Sequence, residues 1–218
     1  MQSDLQYDPR RPDGLYDPAF EHDACGVGFV VNMHGQKSHQ IVRQGLEILV
    51  NLTHRGACGC DPLTGDGAGI LVQMPHEFFE AKLAEQGIKL PRAGNYGIGN
   101  VFLPPDDSER KFCQDRLEAI CLDEGQKFLG WREVPLDNAG IGRTARDVEP
   151  VIRQAVIARG DATPPELFEW KLYVIRKRHE LEVRAMREMK QKKYCYVCTL
   201  SSRVIVYKGL LLADQVER

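Results

Sequence analysis

The chain has 218 residues, of which 43% are hydrophobic and 28% charged, and its formal net charge is −2. This length and composition suit one large globular domain or two small ones, and the charge excludes a general attraction to nucleic acid or to membrane surfaces. No apolar run reaches the roughly 18 residues of a membrane-spanning helix, and an odd number of cysteines, seven, does not fit a complete disulfide framework.

The first 24 residues, MQSDLQYDPRRPDGLYDPAFEHDA, differ from the rest of the chain. They are acidic and proline-rich and have no hydrophobic period, so we interpret residues 1–24 as a surface arm or leader and residues 25–218 as the domain. They also lack the apolar core of a secretory signal. We therefore expect a cytoplasmic protein whose cysteines stay reduced.

The first predicted elements follow this leader. Small and apolar residues alternate over 26–31, which predicts a buried strand. Ser38 is the predicted N-cap of a helix whose apolar positions recur with helical spacing, and Gly56 is its predicted end. A glycine-dense loop, GACGCDPLTGDGAG, covers residues 56–69.

Strands and helices then follow one another without regular βαβ alternation, which predicts an α+β fold. The predicted strands are 70–74, 96–103, 127–134, 194–200 and 204–207, the last two forming a hairpin. The predicted helices are 75–87, 108–125 with Ser108 as its cap, and a long helix opened by Pro164 and Pro165. Residues 148–158 are compatible with either a strand or a helix.

Cys25 lies between the leader and the first predicted strand, in HDACGVGFVV. One interpretation is a core residue, since free cysteine is among the most buried residue types. The other is a nucleophile that uses its own α-amino group as base, because a free α-amine has a pKa near 8 and accepts a proton near neutrality. That route requires cleavage between Ala24 and Cys25. This stretch alone leaves both interpretations open.

Three segments together carry a resemblance to a known family. They are FEHDACGVGFV at 20–30, LTHRGACGCDPLTGDGAGIL at 52–71, and FEWKLYVIRKR at 168–178 followed by YVCTLSSRVIVYKG at 196–209. Together they resemble the N-terminal glutaminase domain of the large subunit of bacterial glutamate synthase. A Cys-Gly start followed by His-Arg-Gly is typical of type 2 glutamine amidotransferases, and the extended loop narrows the resemblance to glutamate synthase.

The resemblance implies an N-terminal-nucleophile (Ntn) hydrolase fold, a four-layer αββα sandwich that would be incomplete at the C-terminus of this chain. Cys25 would be the mature N-terminal residue, acting as nucleophile and through its α-amine as base, and residues 1–24 a propeptide removed after Ala24. Arg55 matches the arginine beside the nucleophile, where its donors suit a carboxylate or backbone carbonyls. The alternative for Arg55 is a cation that only stabilises a helix C-terminus.

The resemblance also implies a reaction. The Cys25 thiol would form a γ-glutamyl thioester and release ammonia, which the complete enzyme would deliver to a flavin site for reductive synthesis of glutamate from 2-oxoglutarate. FMN and an iron–sulfur cluster are implied for the complete synthase and no cofactor for this chain. The implied partners are glutamine as substrate, the synthase domains, and a small subunit or other electron donor, with no nucleic acid and no membrane.

One part of the family's machinery is missing from the sequence. Acyl transfer needs donors for the developing oxyanion. The family supplies them from an Asn-Gly pair, and this chain contains no Asn-Gly dipeptide. The resemblance therefore places these donors, and the groups that hold glutamine, beyond residue 218, and we expect negligible glutaminase activity from the isolated chain. The alternative function is a non-catalytic fragment or pseudo-enzyme with a binding or assembly role.

Two motifs raise other functions. Cys58, Cys60, Cys195 and Cys198 have the spacing of zinc ligands, but a strand would point Cys195 and Cys198 to opposite faces, so we predict no metal site. The TGDGAG stretch lacks the Lys-Ser/Thr of a phosphate-binding loop, and we interpret it as a close-packed loop bordering the site.

Two further features have simple explanations. The basic run from 176 to 193 is interleaved with glutamates, as on a solvated helix face. His54 as a conventional base for Cys25 is disfavoured, because an N-terminal amine makes it unnecessary.

Overall fold

The computed structural model describes residues 25–55 and 61–217. The helices are α1 (His39–Asn51), α2 (His76–Ala84), α3 (Asp107–Asp123), α4 (Arg143–Asp147) and α5 (Pro165–Ala185). The strands are β1 (Ala68–Gln73), β2 (Tyr96–Leu103), β3 (Lys127–Glu133), β4 (Val151–Ala158), β5 (Tyr196–Ser201) and β6 (Val204–Gly209). All strand pairs in these ranges are antiparallel, and the predicted α+β class is confirmed. None of the helices described is long and apolar enough to cross a bilayer.

The larger sheet has the strand order β3-β4-β2-β5, and α3 and α5 cover one of its faces. Side chains alternate along its strands as the strand period requires. On β2, Val101 and Leu103 pack against the helices, whereas Tyr96 and Ile98 point to the opposite face. The buried residues of the two helices are Cys113, Leu117, Ile120, Cys121, Phe168, Leu172, Ile175 and Val183. These apolar stripes hold two otherwise charged helices on the sheet.

The second sheet consists of β1 and β6 and packs on the other face of the larger sheet. Their shared core contains Met74, Phe79, Leu83, Leu90, Tyr96, Ile98, Val156 and Ile205. Hydrogen bonds also join the two sheets. The Asn100 side chain donates to the Val206 carbonyl at 3.0 Å, and the Val206 N–H donates to the Thr199 hydroxyl at 3.3 Å. Helix α1 lies against β1 with no fully buried side chain.

The predicted hairpin at residues 194–207 is wrong in its pairing. A tight turn does join β5 to β6, but β5 pairs with β2 and β6 pairs with β1. Glu169 of α5 holds this turn, since its carboxylate accepts from the Ser201 hydroxyl at 2.5 Å and from the Ser202 N–H at 2.9 Å. The connection therefore crosses from one sheet to the other.

The predicted strand at 26–31 is also wrong. Residues 25–32 have no regular structure, and Val27 and Phe29 are 86% and 87% exposed. Alternation produces a strand only where a sheet edge pairs with it, and β1 and β6 pair only with each other among the residues described.

Three smaller differences concern local signals. The carboxylate of Asp106, rather than the hydroxyl of Ser108, caps α3 and accepts from the Glu109 N–H at 2.9 Å. The ambiguous stretch 148–158 contains β4, which lies between β3 and β2 at the centre of the larger sheet. The short helix α4 was not predicted. The other predicted elements are confirmed within a few residues.

Candidate active site

Cys25 is the first residue that the structure describes, and its free thiol is exposed. This exposure contradicts the interpretation of Cys25 as a buried core residue. The segment touches α1 at Gly28, where an added Cβ would overlap Cγ2 of Ile48. Only glycine permits this approach. The chain therefore brings the Cys25 segment against the helix that leads to the His-Arg-Gly motif.

The His-Arg-Gly motif begins in a 3-10 turn, Thr53–Arg55, directly after α1. The Thr53 hydroxyl donates to the Val50 carbonyl at 2.6 Å. His54 Nδ1 lies 3.1 Å from the Asn51 carbonyl, and because a carbonyl only accepts, this nitrogen carries the proton. His54 is thus bonded to the end of its own helix, and the described chain contains no hydrogen bond from His54 to Cys25.

The other predicted site groups lie outside the part of the chain that the structure describes. Ala24, on the N-terminal side of the predicted cleavage, precedes it, and residues 56–60 of the loop fall in its gap. The backbone of Arg55 is described, but its side chain is not. The roles of Arg55 and of the Ala24–Cys25 junction stay predictions.

Asp61 fixes the part of the glycine-dense loop that follows residue 60. Its carboxylate accepts from the Leu63 N–H at 3.1 Å, from the Thr64 hydroxyl at 2.9 Å and from the Thr144 N–H at 3.0 Å. The bonds from Thr144, then Thr64 and Leu63, hold the pKa of Asp61 below its ordinary value, because each favours the ionised carboxylate. Asp61 therefore fastens the loop to the start of α4.

A second set of contacts fastens the same loop to the end of the described chain. The Leu63 carbonyl accepts from the Gly142 N–H and from the Gln215 amide, both at 3.0 Å. At Gly65, an added Cβ would overlap the Leu211 carbonyl. These contacts support the interpretation of TGDGAG as a close-packed loop.

The cysteine spacing does not produce a metal site in the described chain. Cys195 packs with the helix-facing core and is hydrogen-bonded to Cys113, whereas the Cys198 thiol donates to the Val206 carbonyl of the other sheet at 3.7 Å. The two thiols point to opposite faces, as predicted. The hydrogen bond with Cys113 and burial raise the pKa of Cys195, and burial raises that of Cys198, so neither supplies a thiolate at neutral pH. Cys58 and Cys60 lie outside the described residues.

A polar row in the core between the sheets was not predicted from the sequence. Asn100, Gln154 and Arg132 stand in register on β2, β4 and β3, and all three are buried. Polar residues inside apolar strands such as YGIGNVFL and VIRQAVIA were the available signal. The sequence of one strand does not reveal which residues of the neighbouring strands lie beside its own.

Comparison with known sequences identifies the family. The sequence model described as "Glutamine amidotransferases class-II" matches residues 25–218. The chain is 44% identical over 208 residues to the "Glutamate synthase [NADPH] large chain" of Bacillus subtilis, which covers 95% of this chain and 13% of that protein. It is 41% identical over 213 residues to the "Glutamate synthase [NADH]" of Saccharomyces cerevisiae, covering 93% of this chain and 10% of that protein.

A plant protein shows the same pattern. The "Ferredoxin-dependent glutamate synthase, chloroplastic" of Oryza sativa is 36% identical over 216 residues, covering 94% of this chain and 13% of that protein. The chain thus spans only 10–13% of the length of these relatives. The family match begins at Cys25, the residue that carries the exposed thiol, and includes the His-Arg-Gly motif and both sheets. The chain belongs to the class-II glutamine amidotransferases.

Proposed function

We propose that this chain carries the glutamine-hydrolysing site of a glutamate synthase, with Cys25 as the N-terminal nucleophile. The observation that carries the proposal is the start of the class-II match at Cys25, whose thiol is exposed. The glutamate synthases that align along nearly the whole chain support the choice of parent enzyme.

The reaction follows from a free N-terminal cysteine. Cleavage of the Ala24–Cys25 bond releases an α-amine, which accepts the thiol proton. The sulfur attacks the side-chain carbonyl carbon of glutamine, a C–S bond forms, the C–N bond breaks, and the same amine returns the proton to the departing ammonia. Water then hydrolyses the γ-glutamyl thioester to glutamate and restores the thiol. Arg55 assists by donating to a carboxylate or to carbonyls beside the nucleophile.

For the fold, we propose the four-layer αββα arrangement of Ntn hydrolases for residues 25–218, with residues 1–24 as propeptide. The helices α3 and α5 on the larger sheet, and the second sheet packed on its other face, support three of the layers. Leu71 of β1 is 60% exposed, which is consistent with an outer face that further structure covers.

The complete synthase would use the released ammonia to make glutamate from 2-oxoglutarate. FMN, an iron–sulfur cluster and the electron donor belong in this proposal to other parts of that enzyme. The described cysteines do not suit a cluster. Cys195 packs in the helix-facing core, Cys198 faces the other sheet, and no group of three metal-binding side chains occurs in the described ranges. No step of the glutaminase reaction depends on these groups.

The processing step is tested by intact mass spectrometry. The expected mass is that of a chain beginning at Cys25. A second preparation that retains residues 1–24, stabilised by substituting Ala24, serves as the matched control because its α-amine at Cys25 is locked in a peptide bond.

The chemical step is tested by trapping the thioester. Both preparations are incubated with glutamine, quenched in acid and digested, and the peptides are searched for a γ-glutamyl group. Long incubation is appropriate, because the sequence has no Asn-Gly donor pair and acylation is expected to be slow. The group is expected on Cys25 of the mature chain only, with Cys198→Ser as a variant that keeps it. A modified Cys25 in the leader-bearing chain would refute the mechanism, and so would an unmodified Cys25 in a longer mature chain that includes the family's Asn-Gly donor pair. An unmodified Cys25 in the present mature chain alone would favour the non-catalytic alternative for this chain.

A further inference from the structure

Two cysteines face one another in the core between the larger sheet and its helices. Cys113 belongs to α3, and Cys195 is the residue directly before β5. Both thiols are free, Cys113 is fully buried and Cys195 is half-buried. Their sulfur atoms are hydrogen-bonded to each other, although the two residues are about 80 positions apart along the chain. The proposed glutaminase reaction uses neither of them.

Hydrogen bonds fasten the segment before Cys195 to the first turn of α3. The carboxylate of Glu109, one turn before Cys113, accepts from the N–H groups of Lys190 and Gln191 at 2.9 and 2.8 Å. The side-chain oxygen of Gln191 in turn accepts from the N–H of Asp106, the N-cap of α3, at 2.9 Å. The two segments are thus joined in both directions.

The last step to Cys195 is equally constrained. A single 3-10 turn leads to it, in which the Lys192 carbonyl accepts from the Cys195 N–H at 3.1 Å. The Lys192 ammonium donates to the carbonyls of Arg184 and Met186 at the end of α5, at 3.2 and 3.1 Å. The position of Cys195 opposite Cys113 therefore depends on contacts that involve neither sulfur.

The hydrogen bond gives the two thiols different acidities. A donor that bonds to a thiolate favours the ionised form of that sulfur and opposes its own ionisation. The Cys195 thiol donates in this way, which lowers the pKa of Cys113 against the opposing effects of burial and Glu109. By contrast, burial and then the charge of Glu118 raise the pKa of Cys121, on the same helix, to about 12. A more acidic thiol beside a second thiol is the usual arrangement of a reversible dithiol site.

We propose that Cys113 and Cys195 are a site of reversible oxidation, at which a peroxide converts the two thiols to a disulfide that fastens α3 to the start of β5. Hydrogen peroxide is close to water in size and reaches the pair from the side of the half-buried Cys195. The site is independent of the glutaminase proposal.

The oxidation proceeds in two balanced steps. The Cys113 thiolate attacks one oxygen of hydrogen peroxide, the O–O bond breaks, and the departing hydroxide takes up the proton that Cys113 released, which leaves a sulfenic acid and one water. The Cys195 sulfur then attacks the sulfenic sulfur, the S–S bond forms, the S–O bond breaks, and the hydroxide leaves with the Cys195 proton as a second water. Two thiols are oxidised, and one peroxide is reduced to two waters.

The disulfide closes a loop of about 80 residues that contains β3, β4 and α5. Linking two distant positions restricts the unfolded chain, so we expect the oxidised chain to be more stable than the reduced chain. In a reducing compartment such disulfides are transient, and a thiol reductant reopens this one. The site therefore tightens the fold only while oxidant is present.

The pairing is tested on the native 218-residue chain. The reduced chain is treated with hydrogen peroxide, the remaining thiols are alkylated in denaturant, and tryptic peptides are analysed by mass spectrometry without reduction. A disulfide between the peptide of residues 112–116 and that of residues 194–203 is expected, and dithiothreitol should release both peptides. No such link in the native chain would overturn the proposal.

Variants identify which thiol of the second peptide forms the link, since this peptide also contains Cys198. Cys198→Ser is expected to keep the link, because the Cys198 thiol faces the other sheet. Cys195→Ser, at a half-buried position, is expected to lose it. A link that persists in Cys195→Ser would overturn the assignment.

Thermal unfolding tests the effect of the link on the fold. Peroxide treatment is expected to raise the Tm of the native chain by about 10 °C, and dithiothreitol should reverse the rise. Cys121→Ser is the matched control, because Cys121 lies on the same helix and in the same core, and it should show the same rise. Cys113→Ser and Cys195→Ser should show none. Equal Tm values for the linked and reduced native chains, or an equal rise in Cys195→Ser, would overturn the proposal.

Discussion

The buried histidine of α5 makes the stability of the fold depend on pH. His179 is 1% exposed, and its Nε2 donates to the Cys113 carbonyl of α3 at 2.9 Å. Its Nδ1 is buried without a partner. Burial lowers the pKa of His179, and the charge of Arg116 adds to this, against the opposing effects of the Cys113 carbonyl, Glu180 and Glu182. A proton on Nδ1 would have no acceptor, so the folded chain keeps the neutral ring.

The size of the effect follows from proton linkage. An unfolded histidine has a pKa of about 6.5. The pKa of His179 is lower in the folded chain, so below about pH 6.5 the unfolded chain binds a proton that the folded chain does not. The contribution of His179 to the stability of the fold is therefore complete above about pH 6.5 and decreases as the pH falls. The unfolded pKa alone sets the upper limit of this loss, which is about 2 kcal/mol between pH 7.5 and 5.0 for a ring that stays neutral in the folded chain. For a chain of this size that is a decrease of about 4–8 °C in Tm.

The comparison is between the native chain and His179→Gln, whose amide can still donate to the Cys113 carbonyl but cannot titrate. Urea unfolding is followed by far-UV circular dichroism from pH 7.5 to 5.0. Other titrating groups contribute equally to both proteins, so the difference between the two curves isolates His179. The native chain is expected to lose stability relative to the variant as the pH falls, by at most about 2 kcal/mol. Parallel curves would refute the argument that the ring is held neutral.

Three other substitutions, and one exposed control, test contacts that organise the fold. Asp61→Asn is expected to lower Tm at pH 7; since the folded pKa of Asp61 is depressed, the difference from the native chain should disappear as the pH falls through that pKa, below about pH 4. Glu169→Gln, which weakens the bonds to the turn between β5 and β6, is expected to cost about 1–3 kcal/mol in urea unfolding. Ile205→Ala, in the core between the sheets, is expected to cost about 2–5 kcal/mol, and Leu210→Ala, at a residue 46% exposed, less than about 0.5 kcal/mol.

Local signals predicted most helices and strands because they depend on nearby residues. The pair Pro164-Pro165 and the apolar stripe after it located α5, and the run YGIGNVFL located β2. The hairpin prediction was wrong because a tight turn between two strands does not say which sheet each one joins. The strand at 26–31 was wrong for a related reason, since its burial depends on a pairing partner that the segment itself does not specify.

The site was predictable in part. Cys25 and Arg55 were predicted from motifs that are contiguous and specific to a family. The family is confirmed, whereas the roles of the two residues stay predictions. The row of Asn100, Gln154 and Arg132 could not be found in this way, because its members are 22 and 54 residues from one another along the chain and meet only through strand register. Register is set by packing of the whole sheet.

The loop after His-Arg-Gly shows why a recognisable motif does not by itself build a site. Asp61 and Leu63 are held by Gly142, Thr144 and Gln215, residues about 80 to 150 positions further along the chain. An added Cβ at Gly142 would overlap the carboxylate of Asp61, so this contact depends on a glycine far from the motif. Substitution of Gly142 by alanine should therefore displace the Asp61 carboxylate and loosen the loop that follows the motif.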